Sequence, residues 1–201
     1  MITLYWCAKS RSSRIVWMLE ECGAEYEIAP INIYDDESKA DPAFRKVSPL
    51  GKVPALKHGD VGLWDSAPIC LYLADSFQDA KLAPPFGSDM RAAYYYWMTF
   101  GPGMIEPAMI EKVSQSETNK GRNGWGDYDS VVSLLEARLK DREWILGDHF
   151  SAADVMIGSS ISFLHIFGIM DNNAVLTPYR NRCLARPACQ TALKLDEDPP
   201  T

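Results

Sequence analysis

The sequence predicts a small α/β domain with a mixed sheet, followed by an all-α helical domain. Three observations lead there. Residues 1–77 carry the order strand, helix, strand, hairpin, helix; residues 78–87 are proline-rich and aperiodic; and residues 88–201 show helical periodicity without convincing strands. A chain of 201 residues is long enough for two such domains and can bury a substantial core.

The elements follow in order. Residues 2–6 (ITLYW) are apolar and β-prone. After the polar AKSRSS, the segment RIVWMLEECG places Ile15, Met18, Leu19 and Cys22 on one helical face, and Gly23 supplies a C-terminal stop. The stretch AEYEIAPINI reads as a second strand, which makes a strand, helix, strand unit and hence a parallel pair. After an irregular polar connection, PALKHGDVGLW reads as a hairpin turning at His58-Gly59-Asp60. DSAPICLYLADSF reads as a helix capped by Asp65 or Ser66, with Pro68 in the first turn, where its missing N–H does no harm. The linker is QDAKLAPPFG. Beyond it, helices are predicted in SDMRAAYYYWMTF, YDSVVSLLEARLKD, SAADVMIGSSISFLHIF and a last segment from Pro178. Gly101-Pro102-Gly103 disrupts the first of these at its end, and SQSETNKGRNGWGD reads as a loop.

Composition narrows the function classes. Twenty-seven acids against 20 bases give a formal charge of -7 with no basic run, so the phosphate-neutralising surface of a nucleic-acid binder is missing. The opening MITLYWCAKS lacks a secretion-signal pattern and no stretch approaches the roughly 18 apolar residues of a bilayer span, so a cytoplasmic protein without a membrane partner is expected. Cys7, Cys22, Cys70, Cys183 and Cys189 are scattered without a CxxC, and His58, His149 and His165 are isolated. That pattern fits reduced thiols and no metal site.

One short stretch asks for an explanation. In SPLGKVPAL, residues 48–56, Pro54 stands where the strand should begin, although proline weakens a sheet ladder. SPLGKVPAL resembles NPxGKVPxL of the cytosolic glutathione transferases, and WDSAPICLYLADSF resembles their ESxAIxxYL segment. FSAADVMIG is similar to the family's capping segment, and ARPACQTAL to its closing RPAxxxA run. Four matches in the right order are far more specific than any one. The resemblance, which runs almost end to end, is to a bacterial-type member with a serine-type active site. It implies a thioredoxin-like domain over 1–77 that binds glutathione, a linker over 78–87, and a helical domain over 88–201 that contributes an electrophile pocket. It further implies glutathione as co-substrate with no permanently bound cofactor, a small hydrophobic electrophile, a role in detoxification, and a homodimer. In this fold the Val53–Pro54 bond is expected to be cis, with the Val53 N–H and C=O left to hold the cysteine backbone of glutathione like an added strand.

Glutathione brings its own nucleophile, so the protein must chiefly lower the pKa of a bound thiol. SRSSR, residues 10–14, lies where the first strand passes into the first helix, and helix N-terminal amides suit an anionic sulfur. Periodicity does not choose among Ser10, Ser12 and Ser13. The resemblance implies Ser10, six residues after Leu4 and four before Arg14, with Ser12 next and a plain helix cap as the bland alternative. A reactive Cys7 would imply disulfide exchange instead, but its spacing differs from the family's cysteine-type position, and a buried thiol is the better reading. Ser66 and Asp65 would take the γ-glutamyl carboxylate and ammonium. The family more often has glutamate at the place of Asp65. Lys39, then Lys52, would meet the glycyl carboxylate, with Arg11 a further anion contact. Tyr94, Trp97, Met98 and Phe100 are the candidates for the electrophile pocket, against the ordinary reading of an aromatic stripe as core or interface. Ser151 and Asp154 form a capping box flanked by Phe150 and Val155, a scaffold feature. Two further functions share the same site: a glutathione-dependent disulfide reductase or peroxidase, and a glutathione- or ligand-binding protein with little catalysis.

Overall fold

The computed structural model describes residues 1–115 and 119–199. It divides into two compact units, one of residues 1–82 with 186–201 and one of residues 83–185.

In the first unit four strands, β1 (Ile2–Trp6), β2 (Tyr26–Pro30), β3 (Ala55–His58) and β4 (Val61–Trp64), form one sheet in the order β2-β1-β3-β4. β1 runs parallel to β2 and antiparallel to β3, so Leu4 pairs with both Ile28 and Leu56. Pro30 is tolerated because β2 is an edge strand. The hairpin is tighter than the sequence suggested. His58 pairs with Val61, which leaves Gly59 and Asp60 as a two-residue turn with Gly59 at φ 58°.

Helices α1 (Ser12–Cys22) and α4 (Ser66–Ser76) pack on each other, α1 burying Ile15, Trp17, Met18 and Leu19 and α4 burying Ile69, Cys70 and Leu73. Gly23 ends α1 in a left-handed conformation at φ 61°, where its N–H reaches Glu20 and Leu19 carbonyls. Tyr5 and Ala55, one step along their strands from Leu4 and Leu56, form a separate cluster with Ile31, Phe44 and Val47. The connection read as irregular holds two short helices, α2 (Asp36–Lys39) capped by Asp35 and α3 (Pro42–Val47) capped by Asp41. α3 brings Phe44 and Val47 to that cluster.

The second unit contains α5 (Met90–Phe100), α6 (Glu106–Ser114), α7 (Tyr128–Leu139), α8 (Ala152–Ile166) and α9 (Leu176–Leu184). α8 is buried nearly all round, with Asp154, Ser160 and Ser162 buried among its apolar residues. Gly101-Pro102-Gly103 does not end the helical path. The backbone continues through a π turn over Gly101–Ile105 into α6, and a Cβ at Gly101 would lie 3.2 Å from the Ser160 hydroxyl of α8. The loop predicted after α6 includes residues 116–118, which lie outside the described residues.

The single helix predicted from Pro178 is two, α9 and α10 (Pro187–Glu197), and α10 belongs to the first unit. The helical domain set at 88–201 is corrected there. α10 packs along α1, and Arg186 at its start makes a bidentate pair with Glu21 at 2.5 and 2.7 Å. The RPA run therefore fastens the chain's last helix to its first. No helix among the described residues is long and apolar enough to cross a membrane.

Candidate active site

Three pieces of the first unit carry the candidate groups: the β1–α1 turn, the approach to β3, and the β4–α4 corner. At the β1–α1 turn the Ser10 hydroxyl donates to the Cys7 carbonyl at 2.7 Å and accepts the Ser12 N–H at 3.1 Å. Its oxygen lies 3.0 Å from that of Ser12. Ser10 is half-buried, whereas Ser12 is fully buried and its Oγ accepts the Cys7 N–H. Ser12 has no exposed surface and braces the turn from within. Ser13 donates to Asp196 of α10 at 2.5 Å, and the other Asp196 oxygen accepts the Lys9 N–H at 3.0 Å. Burial raises the Asp196 carboxyl, while Ser13 and Lys9 pull it back in part.

The Val53–Pro54 peptide bond is cis. Pro54 is buried and its carbonyl accepts the Asp65 N–H at 3.2 Å, which ties this approach to the β4–α4 corner. Val53 is half-buried, and its backbone N–H and C=O have no hydrogen-bond partner among the described residues. Lys52 on its other side is held by the Ser48 hydroxyl, which accepts the Lys52 N–H and donates to the Lys52 carbonyl.

At the corner, Asp65 is exposed at φ 72° and its carboxylate accepts the Ser66 N–H at 2.6 Å, so Asp65 is the α4 cap. The Ser66 hydroxyl is buried without a hydrogen-bond partner. Lys39 and Lys52 line one open cleft of about 420 Å³ with Asp36, Arg45 and Gly51. Three cations and one acid there suit an anion. Lys39 also pairs with Asp36 at 2.7 Å, which lowers the Asp36 carboxyl. Arg45 was missed by sequence reading. Its only signal is that it stands in the last turn of α3, and a Cβ on Gly51, at φ 63°, would meet its Nη1 at 2.4 Å. Asp196 was missed as well, with nothing local to mark it.

Three of the thiols fall on the inert side. Burial pushes Cys22, Cys70 and Cys189 up to about 12, far above the ordinary thiol range. Cys7 is half-buried at the end of β1. The four residues expected to line an electrophile pocket are core instead: Tyr94, Trp97, Met98 and Phe100 are 0%, 5%, 0% and 3% exposed. They form the inward stripe of α5, and its exposed aromatics are Tyr95 and Tyr96. Among the described residues, no three His, Cys, Asp or Glu side chains gather as a metal site.

Known proteins resemble this chain over most of its length. The model of the glutathione S-transferase N-terminal domain matches residues 10–76, and that of the C-terminal domain residues 118–171. The probable glutathione S-transferase GSTF2 of Oryza sativa subsp. japonica is 30% identical, the match covering 93% of each chain. The chain belongs to the glutathione S-transferase family. Glutathione S-transferase 3 of Schizosaccharomyces pombe is 28% identical over 98% of this chain and 89% of its own. Among solved structures, a glutathione transferase from Methylococcus capsulatus superposes with a TM-score of 0.83 at 26% identity, covering 98% of this chain and 99% of that one. A sphingomonad glutathione S-transferase complexed with glutathione gives 0.81 at 26%, covering 97% and 98%. These family members share the four-stranded mixed sheet of a thioredoxin-like domain and an all-helical domain.

Proposed function

We propose that this chain is a glutathione transferase that holds glutathione on the first unit, stabilises its thiolate with Ser10, and presents it to a small hydrophobic electrophile. The observation that carries the reading is Val53, whose main-chain N–H and C=O are left unbonded beside the buried Pro54. An extended segment laid alongside can pair with an N–H and C=O that no neighbouring residue takes up, as in strand addition. The cysteine residue of glutathione is such a segment. Its glycyl carboxylate would meet the Lys39, Lys52 and Arg45 cleft. Its γ-glutamyl end would meet Asp65 and Ser66. There the exposed Asp65 carboxylate would take the ammonium, and the Ser66 hydroxyl, which has no hydrogen-bond partner of its own, would answer the carboxylate.

The Ser10 hydroxyl is supported by both ends of its own turn, since it gives its proton to Cys7 and takes the Ser12 N–H. On docking, its hydrogen turns from the Cys7 carbonyl to the sulfur. The thiol proton leaves to solvent, the sulfur lone pair forms a carbon–sulfur bond, and the electrophile's leaving group departs with its electron pair. A charge-assisted hydrogen bond of this kind contributes about 1.5–3 kcal/mol, which corresponds to a thiol pKa lowered by roughly 1–2 units. The exposed Tyr95 and Tyr96 of α5 suit a homodimer face, which sedimentation of the wild type and Tyr96→Glu tests.

Ultraviolet absorbance of the thiolate, followed against pH with glutathione bound, tests the central step. The expected bound pKa lies at least one unit below the free thiol, near 8.5 for a cysteine. Ser10→Ala is expected to restore most of that unit. A bound thiol that titrates like the free one makes the protein a glutathione carrier instead.

A further inference from the structure

We propose that Asp196, on the last helix of the chain, is a positioning residue for the thiolate-binding turn. The inference rests on the reading of Ser10 given above. Residues 8–11 form the turn into α1, in which Lys9 adopts φ 55°, a left-handed conformation that non-glycine residues rarely take. Lys9 within it and Ser13 just after it meet one carboxylate. Asp196 Oδ1 accepts the Lys9 N–H at 3.0 Å, and Asp196 Oδ2 accepts the Ser13 hydroxyl at 2.5 Å. Ser10 lies between them, its own carbonyl 3.1 Å from the Ser13 hydroxyl. With the Ser13 proton drawn to the carboxylate, the Ala8–Lys9 peptide is held by Asp196, one residue before Ser10, and the Ser10 carbonyl by the Ser13 N–H at 3.3 Å at the start of α1.

Two independent features support this assignment. An acidic residue in the last turn of a helix meets the negative end of the dipole, so Asp196 is badly placed for α10 itself and well placed only for the turn it binds. The far end of α10 is fixed on α1 by the bidentate Arg186–Glu21 pair, with Trp17 Nε1 donating to the same Glu21 oxygen at 2.9 Å. The carboxylate is therefore delivered to the turn by a helix anchored elsewhere, and it stands there before any ligand arrives.

The effect on chemistry is indirect. Asp196 touches neither sulfur nor tripeptide in this account; it keeps the Ser10 hydroxyl where a sulfur can use it. Its removal should raise the pKa of the bound thiol and leave the rest of the tripeptide's contacts intact. The experiment compares wild type, Ser10→Ala, Asp196→Ala, Asp196→Asn and Ser13→Ala, with bound-thiol pKa from thiolate absorbance and affinity from calorimetry with S-methylglutathione. Asp196→Ala should raise the pKa by about one unit, a tenfold loss of thiolate well below the pKa, and change the affinity less than about twofold. Asp196→Asn, which keeps an acceptor for the Lys9 N–H, should recover part of the shift. Ser13→Ala, which leaves the Arg186–Glu21 anchor untouched, should give an intermediate shift and decides the matter if Asp196→Ala fails to fold. Unchanged pKa values in the Asp196 and Ser13 variants, with a raised one in Ser10→Ala, overturn this inference alone. An unchanged value in Ser10→Ala overturns the reading beneath it. A loss of S-methylglutathione binding as large as the loss of thiolate would make Asp196 a general structural support and overturn the inference too.

Discussion

Replacing Asp154 by alanine should destabilise the helical unit, and by an amount that depends on pH. The carboxylate is buried, with Oδ1 accepting the Ile145 N–H at 2.7 Å and the Tyr179 hydroxyl at 2.9 Å, and Oδ2 accepting the Ser151 N–H at 2.9 Å and its hydroxyl at 3.1 Å. Alanine strands two buried donors, Ile145 N–H and Tyr179 OH, at about 1–3 kcal/mol each, and removes half of the capping box at about 1 kcal/mol. Against that stands the cost of keeping the charge dry. Burial outweighs the four hydrogen bonds and pushes the Asp154 carboxyl up to about 6. A carboxyl so raised binds its proton in the folded state before the unfolded chain does. Its stabilising contribution is full below about pH 4 and is lost as pH rises through about 6, a change of roughly 3 kcal/mol. The net loss in Asp154→Ala is thus about 0–4 kcal/mol near pH 7 and about 3 kcal/mol larger near pH 4. Urea unfolding followed by far-ultraviolet circular dichroism, wild type beside variant at both pH values, measures it. A difference that is equal at the two pH values, or larger near pH 7 than near pH 4, refutes this reasoning.

The remaining predictions concern smaller changes. Ser151→Ala should cost roughly 1 kcal/mol in the same unfolding assay and leave the affinity for glutathione unchanged, because its contacts lie within the α8 cap. Replacing both Lys39 and Lys52 by methionine should weaken glutathione binding about tenfold or more by calorimetry, with a smaller salt dependence than wild type; equal affinity would remove the cleft from the site. Gly51→Ala should destabilise the first unit by about 1 kcal/mol through its positive φ and displace the Arg45 guanidinium, a loss readable in urea. Native protein treated with iodoacetamide should leave Cys22, Cys70 and Cys189 unmodified by peptide mass spectrometry, since so few of these thiols are ionised.

The parts of the molecule set by local pattern were readable from the chain. The β1, α1, β2 unit, the hairpin and the Ser151–Asp154 capping box each write their signal within a few residues, as apolar alternation, a glycine stop or a cap spacing. Short polar helices carry little such signal, which is why α2 and α3 passed as irregular. α6 was hidden behind Gly101-Pro102-Gly103, whose breaker chemistry is absorbed by a π turn packed against α8. The site divides the same way. Ser10, Val53, Asp65 and Ser66 came forward through the family resemblance, and no local pattern separates the buried Ser12 from the half-buried Ser10, because both stand in one short polar run. The aromatic stripe of α5 gave no hint of which rings face inward until α8 was seen behind it. Asp196 reaches Ser13 across 183 residues, and no local pattern records a contact at that range.

Ionisation of the bound thiol is most directly measured as protons released on binding. Calorimetric titration of glutathione in buffers of differing ionisation heat, at a pH about one unit below the free thiol's pKa, should show saturable uptake with release of a substantial fraction of a proton per tripeptide, and none with S-methylglutathione. Uptake without proton release, or no uptake at millimolar glutathione by folded protein, would contradict a site built to hold a thiolate.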